Sequence, residues 1–431
     1  MIKKRTNELD TIIRNISDAR RHYDEFLTRN KNNEYIYFFS SLVRELYIAF
    51  HEPLPQNKSY KIKSGTWVQI ITNCLFIILK TPYLSKNSKI IIIEINKEKD
   101  MPLAKKLQIP TVKILYKWKI NIYNVKYIIQ FIKTAYVLLH ERTLDKRTVI
   151  RILPSMLSGI NAYYSIQLDG IEKIITQRDR YPTELAIITK ANQKKIITIK
   201  IDTFIIMGPY CQDKIYCKYY YYPNEISRKY FQDVHKNDSV IFIRGGFPFW
   251  DDYSIYRYAP AQNPKNILFF TQYGYHAGLF GSYSPYDYIL EILSVMPEDY
   301  LLYIKKHPLD QNKNYEKLKK IKNVAVIEET NIDNSAIISK SSFVFSINSQ
   351  SCFESKHICP HTYFINYEQE KAFDFEFNMI KGYIDVITNK KDLKQLFFKN
   401  KKPASMRKYI DYFNPMYPDA VKTLKNFIQK V

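Results

Sequence analysis

Glycine is scarce, with 10 residues in a chain of 431. That scarcity argues against flexible linkers and glycine-patterned repeats. Cysteine is nearly as rare. Cys74, Cys211, Cys217, Cys352 and Cys359 form an odd set without a C-x-x-C pair, so neither a disulfide framework nor a zinc ribbon is expected. A reducing cytoplasm is the natural setting. No hydrophobic run is long enough to span a bilayer: the most apolar stretch, 67–79, holds Gln69, Thr72 and Asn73 and falls short of the required length of about 20 residues. It reads as a buried helix. The basic start Met1-Ile2-Lys3-Lys4-Arg5 is followed by polar Thr6 to Asp10, where a signal peptide needs its apolar core.

Acid is also in deficit, at 42 Asp and Glu against 65 Lys and Arg, a formal net charge of +23. Such a field suits an anionic membrane surface, nucleic acid or an anionic substrate. Heavy use of Lys, Ile, Asn and Tyr, as in AT-rich coding, accounts for part of the excess. No nucleic-acid module is recognisable and the lysines are spread along the chain, so nucleic acid is not an expected partner.

What is present is a globular composition, 46% hydrophobic and 25% charged, in a length that fits two domains of roughly 150 to 250 residues. Residues 7–27 carry Leu9, Ile12, Ile13, Ile16, Tyr23, Phe26 and Leu27 at helical spacing. Apolar runs at 90–95, 111–116, 171–176, 196–201, 214–221 and 239–243 predict strands, with helices expected over 123–140, 183–193 and 225–231. Gly245-Gly246-Phe247-Pro248 ends that run. The domains are therefore expected at 1–255 and 256–431. In the second, strands at 266–270, 300–305, 324–327, 343–346 and 362–365 alternate with helices at 285–296, 313–321, 333–339 and 352–356, and a closing helix falls in 416–431. Strict βαβ repetition implies a parallel sheet whose ligands sit at the carboxyl ends of strands.

Two such ends carry candidate chemistry. His307-Pro308 follows the strand at 300–305, where an imidazole can donate to a phosphate oxygen and Lys305 and Lys306 add positive potential. The ordinary alternative is a capping or loop histidine. Ser346, Asn348, Ser349, Ser351 and Glu354 follow the strand at 343–346, and hydroxyls beside free N–H groups at a helix start form an anion site. Plain N-capping by Ser349 or Ser351 is the competing explanation. Gln272 and His276 follow the strand at 266–270 and are candidate ligand-facing residues.

The order strand, Lys-Lys-His-Pro-Leu-Asp, helix, strand, Ser-Ile-Asn-Ser-Gln-Ser-Cys-Phe-Glu, with Pro360 before the next strand, resembles bacterial capsule and surface-polysaccharide glycosyltransferases, namely capsule Kdo transferases and bacterial sialyltransferases. The resemblance covers mainly 265–400. It implies an α/β GT-B fold, two Rossmann-like domains facing a cleft. It further implies that His307 and Ser349 or Ser351 meet the phosphate of a nucleotide sugar, commonly CMP-linked, while Glu354 holds the nucleoside. The polyol-phosphate polymerases of teichoic acid synthesis are similar in this half and are the alternative relatives.

The first half matches less well, because the His-Gly pair common at a strand end in that family is replaced by Asp202-Thr203-Phe204. An inverting transfer needs a carboxylate base, and Asp202 and Asp169, the latter in Leu168-Asp169-Gly170, are the candidates. No D-x-D motif adjoins these loops, so neither a metal nor a cofactor is expected beyond the donor substrate. The expected partners are a nucleotide sugar, a glycan or glycolipid acceptor and the anionic inner face of the cell membrane, with the protein cytoplasmic or peripheral there. A non-catalytic assembly subunit of the same fold is the remaining rival.

Overall fold

The computed structural model describes residues 72, 75, 77 and 79–431, except 86–87, 94–102, 119–122, 141–145, 178–181, 203–214, 235–238, 257–264, 273–282, 309, 311, 329–332, 348, 368–381 and 399–402. The helix expected at 7–27 therefore lies outside the described residues, as do His276 and Asn348.

Among the described residues, two six-stranded, wholly parallel sheets organise the chain. The first contains β2 (Ile90–Ile93), β3 (Thr111–Val112), β5 (Lys173–Thr176), β6 (Ile197–Ile201), β7 (Tyr219–Tyr222) and β8 (Ile241–Arg244), in the order β3-β2-β5-β6-β7-β8. The second contains β9 (Asn266–Phe270), β10 (Leu301–Lys305), β11 (Val324–Ile327), β12 (Phe343–Ser346), β13 (Thr362–Ile365) and β14 (Asp385–Ile387), in the order β11-β10-β9-β12-β13-β14. Runs such as Ile-Ile-Ile-Ile in β2 and Asn-Ile-Leu-Phe-Phe in β9 are buried almost throughout, as strands covered on both faces must be. Each parallel pairing of consecutive strands needs a crossover, and the helices Pro182–Gln193 and Pro285–Val295 supply those of β5 with β6 and β9 with β10, while Asn334–Ser339 carries the chain from edge strand β11 across to β12.

Chain order reverses once in each sheet, between β2 and β5 in the first and between β9 and β12 in the second. Those reversals open the crevices in which sheets of this type bind ligands. A separate antiparallel pair, β1 (Lys80–Leu84) with β4 (Ile114–Trp118), sits beside the first sheet. The strand expected at 111–116 is thus divided: Thr111 and Val112 join the parallel sheet, and the chain from Ile114 turns away into the pair.

The two sheets are tied by a short linker and a returning tail. Gly245 lies against the Tyr221 ring, where an added Cβ would stand 2.2 Å from Cε1, and at Gly246 it would stand 2.5 Å from Asn414 Oδ1. Only glycine fits that approach. Phe247 then donates its N–H to Asn414 Oδ1 at 2.9 Å, and its ring stacks on Trp250 at 4.1 Å. The segment 251–264, without period in the sequence, opens as a 3-10 helix, Asp251–Tyr256. Asp251 accepts from Val421 N–H at 2.7 Å and so caps the last helix, Ala420–Lys430. That helix returns to the first sheet: Leu424 and Ile428 pack with Ile92, Ile175 and Ile199, and Lys173 Nζ donates to the Ile428 carbonyl at 2.6 Å. Two Rossmann-like α/β units with the final helix folded back onto the first make this a GT-B architecture.

Candidate functional site

The carboxyl ends of β9, β10 and β12 lie side by side, because Phe270 is in register with both Lys305 and Ser346. Neighbouring strands stand about 4.8 Å apart, so the loops after β10 and β12 flank the reversal at roughly 10 Å. The sequence-predicted histidine and serine clusters are thus brought to one crevice.

Thr271, 2% exposed and immediately after β9, organises the His307 loop. Its N–H donates to the Lys305 carbonyl at 3.0 Å, and its Oγ1 accepts the His307 N–H at 2.9 Å. The loop then closes on itself: Asp310 N–H donates to the His307 carbonyl at 2.8 Å, and the Asp310 carboxylate accepts from Tyr315 Oη at 2.8 Å and from Asn312 N–H at 3.1 Å. Burial of Tyr315, reinforced by the Asp310 charge, holds its phenol protonated far above the usual range. His307 is half-buried, and that burial lowers its proton affinity against a smaller opposing pull from Asp310. A neutral imidazole results near pH 7, with one N–H to donate.

The basic neighbours divide. Lys305 is buried at the strand end, whereas Lys306 turns to Glu328 at 3.2 Å and lies over the Tyr315 ring at 5.6 Å. Pro308 is exposed beside them.

The serine turn is resolved unequally. Ser349 is the N-cap of the helix Gln350–Ser355 and its hydroxyl accepts the Ser351 N–H at 3.2 Å, so ordinary capping already occupies one donor of that helix start. A helix of six residues carries only a small dipole. Ser351 remains half-buried at the same turn. Ser346 must be corrected: it is wholly buried with its Oγ 3.5 Å from the Phe270 carbonyl, and it presents no surface to a ligand. Glu354 stands five residues beyond the cap and accepts from Tyr253 Oη at 3.4 Å. The Glu354 carboxylate therefore meets the linker's 3-10 helix, and burial together with the Glu354 charge keeps the Tyr253 phenol protonated.

Gln272 follows Thr271 at the crevice. Its Oε1 is buried and meets no donor among the described residues. Across the molecule Gln177 does the same after β5, at the reversal of the first sheet: the residue is 7% exposed and its Nε2 is buried without an acceptor among the described residues. A buried amide left unmatched at each crevice marks a place where a polar partner fits.

The two candidate bases fare differently. Asp202 follows β6 directly at the carboxyl end, where it accepts from Tyr220 Oη and lies 3.5 Å from the fully buried Lys200 amine. Asp169 precedes β5, on a turn whose Gly170 has φ +78°, and pairs with Lys194 at 2.9 Å on the exposed surface. It stands at the amino end of its strand, the wrong edge for a sheet that binds at carboxyl ends. Hydrogen bonding and charge from Lys194 hold its carboxyl below the ordinary range. Among the described residues no cluster of three or more His, Cys, Asp or Glu side chains forms a metal-binding group.

Thr271, Asp310, Tyr315 and Gln177 were not singled out by sequence. Asp310 alone left a signal, three residues after His307 in a turn where aspartate accepts local N–H groups.

No family model and no curated relative matches the chain. Among solved structures, the wall teichoic acid polymerase TagF aligns with a TM-score of 0.48 and 12% identity, over 92% of this chain and 98% of that one. UDP-GlcNAc 2-epimerase from Methanocaldococcus jannaschii gives 0.47 and 12%, over 79% and 99%. MurG of Acinetobacter baumannii gives 0.39 and 13%, over 79% and 90%. At such identities the likeness concerns chain path alone, and the GT-B assignment rests on the two sheets and the returning helix described above.

Proposed function

We propose that the protein is a glycosyltransferase that takes a sugar from a nucleotide-activated donor, CMP-linked Kdo or sialic acid, and transfers it to a growing bacterial surface polysaccharide or lipooligosaccharide. The observation that carries this reading is the His307 loop, tethered by Thr271 at the strand reversal of a Rossmann-like sheet. A half-buried imidazole with fixed backbone is a preorganised donor for the phosphate of a departing nucleotide, where negative charge grows as the glycosidic bond to phosphate breaks. Lys305, Pro308, Ser349 and Ser351 complete the phosphate side, and Glu354 takes a ribose hydroxyl.

The acceptor hydroxyl loses its proton as its oxygen attacks the anomeric carbon. Asp202 is the strand-end carboxylate assigned that proton. The carboxylate takes the proton as the acceptor oxygen bonds to the anomeric carbon, the point at which that hydroxyl becomes acidic. The reading needs no metal, since the neutral His307 imidazole donates a hydrogen bond to the phosphate and the lysines supply the positive potential.

A thermal-shift panel with CMP, CDP, UDP and GDP tests the reading. Stabilisation by CMP that is lost in His307→Ala supports it. A response to CDP alone points instead to transfer of a polyol phosphate, and silence from all four nucleotides removes the nucleotide site.

A further inference from the structure

Exposed large apolar side chains are not scattered over this protein. Of the eleven among the described residues, seven fall between Leu75 and Tyr136. Three lie on β4: Leu115 is 39% exposed, Tyr116 43% and Trp118 66%. Three more, Ile129, Ile132 and Tyr136, form one stripe of the helix Tyr123–His140 at i, i+3 and i+7, exposed by 47%, 59% and 62%. Ile128, Phe131 and Val137 of the helix and Ile114 of the strand pack on the first domain's core, whereas from Leu115 to Trp118 the strand is exposed on both of its faces. Strand and helix thus both rest on the first domain's core and leave these apolar side chains uncovered. Only residues 119–122 separate Trp118 from Tyr123, so the end of the strand and the start of the helix lie within about 18 Å of each other.

Charge decides what this face is built to meet. From Met101 to His140 the chain contains no aspartate or glutamate and seven lysines. Lys113, Lys117 and Lys133 are exposed directly beside the apolar residues. Lys80 Nζ lies 5.0 Å from the centre of the Trp118 ring and Lys117 Nζ 5.2 Å from that of Tyr83, so aromatic planes and ammonium groups are paired. Apolar and aromatic groups ringed by lysine, with acid excluded, fit the boundary of an anionic bilayer, where rings enter the headgroup layer and ammonium groups meet lipid phosphate. No helix among the described residues is long and apolar enough to cross a membrane.

We propose that β4 and the helix Tyr123–His140 form a docking face by which the protein lies on anionic lipid bilayers. It goes beyond the glycosyltransferase reading and uses none of the residues of that crevice. The face belongs to the first domain, so docking leaves the nucleotide loops of the second sheet free.

The test is flotation of the full chain with phosphatidylglycerol–phosphatidylcholine vesicles and with phosphatidylcholine vesicles alone. The expected result is binding to the anionic vesicles only, reduced by salt, with a blue shift of tryptophan emission that Trp118→Phe abolishes. Ile129→Ser with Ile132→Ser should weaken binding by about tenfold, and Lys113→Gln with Lys117→Gln and Lys133→Gln by about a hundredfold, at roughly fivefold per lysine. All five positions are exposed, and an unchanged melting temperature verifies folding. Equal binding to neutral vesicles, or no binding to either, overturns the proposal. So does a dimer in light scattering that these substitutions dissolve, which would make the face a contact between two copies. A protein that fails to float yet still responds to CMP loses this proposal and keeps its function; the reverse outcome does the opposite.

Discussion

The His307 backbone N–H donates to the Thr271 hydroxyl at 2.9 Å, across 36 residues of sequence, and this bond joins the loops after two neighbouring strands. Replacing Thr271 by Val removes the acceptor and keeps the volume. Leaving a buried N–H unmatched costs about 1–3 kcal/mol, and if the bond sets the imidazole, nucleotide affinity should fall by about tenfold or more. Thr271→Ser, which retains the hydroxyl, should bind nearly as the parent does. Calorimetric titration of both variants checks the pair.

Asp251 provides a pH signature. Burial pushes its carboxyl up to about 7, against opposing hydrogen bonds from Val421 and Ala420. The folded state then holds a proton that the unfolded state, near the ordinary 3.8, releases earlier. Its contribution to stability is complete below about pH 4 and is lost as pH rises through about 7. Asp251→Asn keeps an oxygen for the cap and cannot ionise. Melting temperatures taken from pH 5 to 8 should therefore fall less steeply in Asp251→Asn than in the parent, and an unchanged slope would remove Asp251 as the source.

Gly246 tests the close approach of linker and tail. An alanine Cβ there would stand 2.5 Å from Asn414 Oδ1 and 3.0 Å from the Ala420 Cβ. Gly246→Ala should destabilise by about 1–3 kcal/mol through overpacking, measured by denaturant unfolding.

The two aspartates should separate cleanly. Asp169 is an exposed turn residue paired with an exposed lysine, so Asp169→Asn should leave both melting temperature and turnover unchanged. Asp202→Asn retains the Tyr220 hydrogen bond but cannot accept a proton, and turnover should fall at least about a hundredfold with the CMP-induced shift preserved. Full turnover in Asp202→Asn would place the base elsewhere.

Much of the second sheet was readable in advance, because its strands are short apolar runs bounded by polar turns, with β9, β12 and β13 buried on both faces. The β1–β4 pair was not, since Lys-Thr-Pro-Tyr-Leu carries a proline and no alternation. The spacing of Val421, Leu424, Phe427 and Ile428 announced a buried face on the last helix, but periodicity cannot say that its partner is the first sheet, more than 200 residues earlier. Residue type singled out His307 and Ser349, which follow strand ends two strands apart in one sheet, whereas Thr271 and Tyr315 enter through hydrogen bonds that composition does not encode. Ser346 illustrates the opposite error: a serine ending a central strand has the right chemistry and no access. Asp169 was legible as a misfit, since it precedes its strand.

The central claim is that the crevice beside His307 binds nucleotide phosphate. Calorimetric titration of CMP into the parent protein and into His307→Ala tests it most directly. Saturable binding to the parent, weakened at least about tenfold in a variant of unchanged melting temperature, is the result expected when one hydrogen bond to a charged phosphate is lost. Equal affinity in the two proteins would contradict it.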